Sequence, residues 1–339
     1  MRNIICGALM AVLITACFSS GQPKWVDGRS KSYPEAQFLT ATGSAGNPED
    51  AKTRALANLS KIFEVRINDV GRDESEAWLQ SNEQGAVQGN RQLTARYVDA
   101  FSTKMLEGAE IGEQWQDNET RQHFALAVIS RAQLSNKLSG EIRKNDRYAQ
   151  EKVAQAERSS DPFKAAQYYF QAQRAQVSRA ALQRDLQIVD KTGVGIRPLW
   201  SVKDLDVRID KALAVMQVMS NADYEMENSP DVELEHALRG GITAMGMRFT
   251  DTQARYRLDG KLEVKAPEFR DGWYWYRGAL EVNLLRADST VMATVRWPLK
   301  ASGQSEAQAA TRLKSDIQNL VSKNLRAALL SYQADSEST

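Results

Sequence analysis

Between Arg131 and Asp190 the chain is written almost entirely in Ala, Gln, Arg, Lys and Glu, side chains that lose little freedom on entering a helix. So long a run without strand or turn signals makes the middle of the chain helical. Ser159-Ser160-Asp161-Pro162 interrupts it with a capping residue and a proline suited to a first helical turn. Lys191-Thr192-Gly193 closes it with a glycine stop. The simplest structure is a pair of antiparallel helices, an αα-hairpin over 139–193.

The flanks read differently. Before the hairpin, Ala36 to Thr42 mixes apolar and polar positions like a short strand, and Gly43-Ser44-Ala45-Gly46 reads as a turn. Asn47 is a good N-cap, Pro48 suits the first helical position, and Ala51, Ala55, Leu59 and Ile62 recur at helical spacing to about Phe63. Leu93 to Met105, Ile111 to Gln116 and His123 to Ile129 read as strands, with Asp117-Asn118-Glu119 a turn.

After the hairpin, Ser201 and Asp204 form a capping box, and Ser229-Pro230-Asp231 starts a second helix. Tyr256, Leu258, Leu262 and Val264 then alternate with Arg257, Asp259, Lys261 and Glu263, the clearest strand in the chain. Asp271-Gly272 marks a turn before strands at Trp273 to Leu285 and Val291 to Trp297, the last stopped by Pro298. A helix carrying Leu313, Ile317, Leu320, Val321 and Ala328 closes the unit, so a three-stranded meander under helices is expected. The fold class is α+β: two small α+β domains, at 24–138 and 201–331, joined by the long αα-hairpin, with a disordered tail at 332–339.

The first residues are of another kind. Arg2 precedes an apolar run from Ile4 to Ile14, too short to span a membrane. Leu13-Ile14-Thr15-Ala16-Cys17 resembles the bacterial lipobox, which implies a signal peptide at 1–16, diacylglycerol on Cys17, and a tether at 17–23. The competing reading is an ordinary secretory signal that ends near a cysteine. The only cysteines are Cys6 and Cys17. Cleavage before Cys17 would remove one and acylate the other, leaving no thiol for redox, metal or nucleophile chemistry. Phe18, rather than aspartate, follows the cysteine, and by resemblance this implies the outer membrane with the body in the periplasm. Several acyl chains anchor stably where one does not.

Pro23-Lys24-Trp25-Val26, Ala41-Thr42-Gly43-Ser44-Ala45 and the helix from Glu49 to Phe63 resemble the Lpp-twenty lipoprotein family, over about Trp25 to Leu138. From Asp231 to Leu330 the order of elements is similar to the TolB N-terminal type of α+β domain, also found in the synthase activator LpoB and in FlgT. Tyr256 to Leu262 and Lys300 carry that likeness. Together the resemblances imply a structural or assembly role in the envelope through protein contacts, the flagellum and the cell-wall machinery being the settings they suggest, and no catalysis. The alternative they imply is an LpoB-like regulator of a peptidoglycan synthase. The hairpin is foreign to the family pattern.

Composition and motifs agree with a non-enzymatic reading. The chain is 42% hydrophobic and 26% charged, as a folded body requires, and its formal net charge of +1 gives no field to attract nucleic acid. His123 and His236 stand far apart with no paired ligand spacing and no Gly-x-Ser-x-Gly elbow, so no metal, cofactor or triad is expected. Carboxylate pairs such as Asp73-Glu74 need a cleft to become the acids of an envelope hydrolase, the remotest reading. Glu49 and Asp50 argue against a phosphate cradle at Gly43 to Gly46.

Trp273-Tyr274-Trp275-Tyr276 is the candidate contact surface. Strand parity puts Tyr274 and Tyr276 with the buried Leu280, Val282 and Leu284, and puts Trp273, Trp275 and Arg277 on the polar face. That face either binds a partner, protein or glycan, or lies under a helix. The hairpin surface (Arg143, Lys144, Arg147, Lys152, Arg158, Arg174, Arg179, Arg184) is either solvated or a contact arm, for a second copy among others.

Overall fold

The computed structural model describes residues 21–62, 108–190, 192–226 and 233–332. The expected signal peptide, Cys17, the Leu93 to Met105 strand and the tail beyond Tyr332 lie outside them. The fold is α+β, in two compact units.

The first unit comprises residues up to Leu59 together with Ala109–Ile129. Its sheet has the order β1-β3-β2, from β1 (Phe38–Ala45), β2 (Glu110–Gln116) and β3 (His123–Ser130). β2 and β3 form an antiparallel hairpin closed by the Asp117 amide donating to the Gln122 carbonyl, with a bulge near Gly112. Trp25 is buried against Leu126 and Val128. Helix α1 occupies 48–62, and the Asn47 side chain accepts from the Asp50 amide at its start, as the capping signal required.

Gly43-Ser44-Ala45 is strand here, not turn. A Cβ on Gly43 would lie 2.2 Å from the Ala55 nitrogen and 2.5 Å from the Ala51 oxygen, so α1 packs directly on the strand backbone. Arg54 donates to the Ser44 carbonyl and Asn58 to the Thr42 carbonyl, so the helix occupies acceptors along the edge of β1.

The second unit begins with α2 (Arg131–Arg158) and α3 (Pro162–Val189), broken where the sequence breaks. The Asp161 carboxylate accepts from the Phe163 and Lys164 amides at the start of α3. Leu134, Leu138, Ile142, Ala149, Val153 and Ala156 line one stripe of α2. α3 is buried on more than one side, which its alanines permit, because α2 packs on one flank and α4 (Val202–Ala214) on another. The expected break between 139–193 and 201–331 is absent. Phe163 and Ala166 belong to the same core as Leu238, Leu258, Leu280 and Leu313, and the Gln167 side chain donates to the Leu329 and Tyr332 carbonyls. The hairpin is part of the second unit.

That unit is built on a six-stranded sheet. β4 (Gln217–Met226) runs parallel to β5 (Arg248–Phe249) and to β6 (Tyr256–Val264), with α5 (Leu234–Ala244) between β4 and β5 in the chain. β6, β8 (Trp273–Arg286) and β9 (Val291–Gly303) are the expected antiparallel meander, and β7 (Glu268–Arg270) extends one edge of β8. Pro298 does not stop β9, which continues to Gly303. Among the described residues β9 pairs on one side only, and an edge strand needs backbone donors on one side only.

The closing segment buries Ala309, Leu313, Ile317, Val321, Leu325 and Leu329, a strict recurrence of four. Such a stripe drifts around a helix of 3.6 residues per turn. A wider π-turn at Leu320–Asn324, between α6 (Glu306–Asn319) and α7 (Leu325–Ser331), brings it back to the sheet. Ala328, expected on the buried stripe, is only half-buried as a result.

Candidate functional site

Asp271 and Gly272 both have positive φ, 52° and 79°, the two-residue turn that matches strand twist. They join β7 to β8 with Arg270 opposite Trp273 and Glu268 opposite Trp275. The β6 partner of β8 ends at Gly278, where a Cβ would lie 2.0 Å from the Glu263 oxygen. The aromatic end of β8 therefore projects past β6, flanked by β7 and β9.

Strand parity holds there. Tyr276 is 2% exposed and its hydroxyl donates to a Glu306 carboxylate oxygen at 3.2 Å. Burial first, then Glu306, push that hydroxyl's pKa up. Trp273 and Trp275 are half-buried and Arg277 is exposed. The Lys300 ammonium lies 4.8 Å from the Trp275 ring centroid, a cation–π contact at the surface. On the opposite side Phe269, 63% exposed, leans on Tyr274 at 4.8 Å between ring centroids.

The polar face of β6, β8 and β9 stays partly exposed. Beyond the tryptophans it carries a charge ladder, with Lys261 bridging Glu225 and Glu263, Arg296 bridging Glu263 and Glu281, and Arg257 paired with Asp259. Their side chains keep substantial exposure, so the ladder sets charge pattern more than stability.

Of the other singled-out residues, His123 lies in β3 and His236 on the exposed side of α5, in different units. No group of His, Cys, Asp and Glu suited to a metal occurs among the described residues. Arg143, Lys144, Arg147 and Arg158 are exposed as expected. Arg179 is not: it is 2% exposed, its Nε donating to Asp146 at 2.8 Å.

A second feature gives no sign in the sequence. A cleft of about 930 Å³ is lined by the ends of the hairpin helices (Glu157, Pro162, Tyr169), by α4 (Arg208, Lys211, Val215) and by Arg255 and Tyr256 at the start of β6. Behind it Asp161 pairs with Arg286 at 2.7 Å. Burial alone would raise the Asp161 carboxyl, but the Lys164 amide and Arg286 hold it below the usual range. Tyr256 is 2% exposed, and its hydroxyl lies beside Asp161 without a well-formed hydrogen bond among the described residues. Burial, then the Asp161 charge, push it up to about 12. A buried hydroxyl without a partner costs roughly 1–3 kcal/mol.

Residues 23–130 match the LPP20 lipoprotein family. The match runs from just before Trp25 through β1, α1 and β2 to the end of β3, and stops where α2 begins. No curated protein matches the chain by sequence. Among solved structures, a PelC dodecamer variant from Paraburkholderia phytofirmans is 18% identical with a TM-score of 0.26, over 35% of this chain and 88% of its own. The secreted protein HP1454 from Helicobacter pylori is 15% identical with a TM-score of 0.38, over 87% and 99%. A minor lipoprotein from Acinetobacter baumannii is 16% identical with a TM-score of 0.23, over 34% and 89%. Similarities at this level decide nothing about activity. No helix among the described residues is long and apolar enough to cross a membrane.

Proposed function

We propose that this chain is a lipid-anchored envelope protein, held at the outer membrane through Cys17 with its body in the periplasm. It acts without catalysis, as a structural or assembly component that works through protein contacts. The LPP20 lipoprotein match over 23–130 carries the reading, and the lipobox-like Leu13 to Cys17 supplies the attachment point. The contact surface is the projecting end of β8, where Trp273, Trp275 and Arg277 share one face. Aromatic and arginine side chains of this kind dominate protein interfaces.

Two measurements test it. The native chain, purified from membranes, is expected to begin at Cys17 and to carry fatty acids by intact mass. Cys17→Ser is expected to move the protein from the detergent phase to the aqueous phase. A native N-terminus elsewhere, or an unacylated Cys17, would end the anchoring model. Trp273→Ala with Trp275→Ala is expected to weaken partner capture by roughly thirtyfold or more, the loss of at least one hot spot of about 2 kcal/mol. Its circular dichroism should stay that of the parent. Crosslinking that recovers the same partners at the same yield removes this strand from consideration.

A second reading, a regulator that docks onto a peptidoglycan synthase, draws on the order of elements from Asp231 to Leu330. It uses the same strand and differs only in the partner recovered.

A further inference from the structure

We propose that the cleft between the hairpin, α4 and the start of β6 binds a small organic anion, a carboxylate or phosphomonoester on a compact apolar body. Four observations converge on that chemistry. The volume, about 930 Å³, suits a small molecule. Its charge is one-sided: Arg208, Lys211 and Arg255 line it against the single carboxylate of Glu157. Glu157 is already engaged with Arg208 at 3.0 Å. Lys211 and Arg255 are exposed and have no carboxylate within ion-pair distance among the described residues. They are separate segments of chain brought to one opening, so their convergence is a product of the fold.

The third observation is Tyr256. It lines the cleft, is 2% exposed, and its hydroxyl lies beside the Asp161 carboxylate without a well-formed hydrogen bond. Buried polar groups almost always find a partner, and an orphan beside an opening marks the place of an absent one. The neighbouring acceptor is the Asp161 carboxylate, which receives Arg286, Phe163 and Lys164 and makes no well-formed hydrogen bond with the hydroxyl. An incoming oxyanion would accept from Tyr256 while Lys211 and Arg255 balance its charge.

The fourth is the apolar remainder of the wall, which includes Pro162, Tyr169 and the 65%-exposed Val215. It offers contact to a ligand body that a bare ion lacks, so an organic anion is favoured over free phosphate.

The test is calorimetric titration of the full chain in mild detergent with phenyl phosphate, benzoate and inorganic phosphate. Phenyl phosphate and benzoate are expected to saturate, and inorganic phosphate to bind more weakly. Lys211→Met and Arg255→Met are each expected to weaken phenyl phosphate by roughly tenfold. Lys323→Met, an exposed cation on the π-turn outside the cleft, is expected to leave it unchanged. Tyr256→Phe is expected to weaken binding while leaving the ligand-free unfolding midpoint equal or higher, since only an unpartnered hydroxyl is lost. Three results would overturn the proposal. One is no saturation by either organic anion, and another is a Lys323→Met loss equal to that of Lys211→Met. The third is binding to phosphatidylglycerol vesicles, lost in the cleft variants, with none of the soluble probes; it would reassign these cations to a membrane surface.

Discussion

Gly43→Ala is expected to destabilise the first unit by about 3 kcal/mol or more. The added methyl would meet the Ala55 nitrogen at 2.2 Å and the Ala51 oxygen at 2.5 Å. Overpacking is usually relieved by rotating a side chain, and here both obstacles are backbone. α1 must back away, breaking the Arg54–Ser44 and Asn58–Thr42 hydrogen bonds and loosening Ala51, Ala55 and Leu59, all buried. Gly43 has no positive φ, so in open surroundings alanine would be neutral or slightly stabilising. The sign of the change therefore separates close packing from a simple turn. Hydrogen exchange over 38–62 is expected to accelerate about a hundredfold, with peptides of β8 and β9 unchanged. Unaltered protection would mean that the helix does not rest on this glycine.

Gly43 also shows where the sequence is legible. A glycine before an Asn-Pro helix start carries the local signature of a turn, and nothing nearby in sequence announces that a helix will lie across it. Signals that act within a few residues are legible: Asn47 and Asp161 are caps, Ser201 and Asp204 form a box, and Asp271-Gly272 is a turn. Alternation was enough to place Tyr276 in the core and Arg277 in solvent, while Trp273, Tyr274 and Trp275 are all half-buried at the end of the strand.

What depends on distant partners was not legible. β4 gives a weak strand signal because its inward positions include Ser220 and Ala222 while Met219 takes the opposite face. Parallel pairing with β6 is what holds it. Pro298 would end a central strand but is harmless in one paired on a single side. The cleft is assembled from three separated segments, none of which reads as a motif alone.

Arg179 is the sharpest case, since its helix reads as a solvated face and its guanidinium is buried. The Arg179 Nε donates to Asp146 Oδ1 at 2.8 Å, Gln176 donates to the same oxygen, and another Arg179 nitrogen donates to the Ile196 carbonyl at 2.6 Å. Asp146 thus ties α2 to α3, and Arg179 ties α3 to the segment leading into α4. Asp185, further along α3, is the contrasting case: burial pushes its carboxyl up to about 7, with only the Arg184 charge opposing.

Asp146→Ala is therefore expected to cost about 3–5 kcal/mol, because it leaves a buried guanidinium without its counter-charge. The attraction between the charges is not the source of that figure; stranding the survivor is. Asp146→Leu with Arg179→Met removes both charges and is expected to recover much of the loss, leaving the Ile196 carbonyl and the buried Gln176 amide without their partners as the deficit. Urea unfolding followed by circular dichroism of the helices measures both variants. A double variant as unstable as Asp146→Ala would show that the pair holds the hairpin by attraction, and that desolvation is the lesser effect at this site.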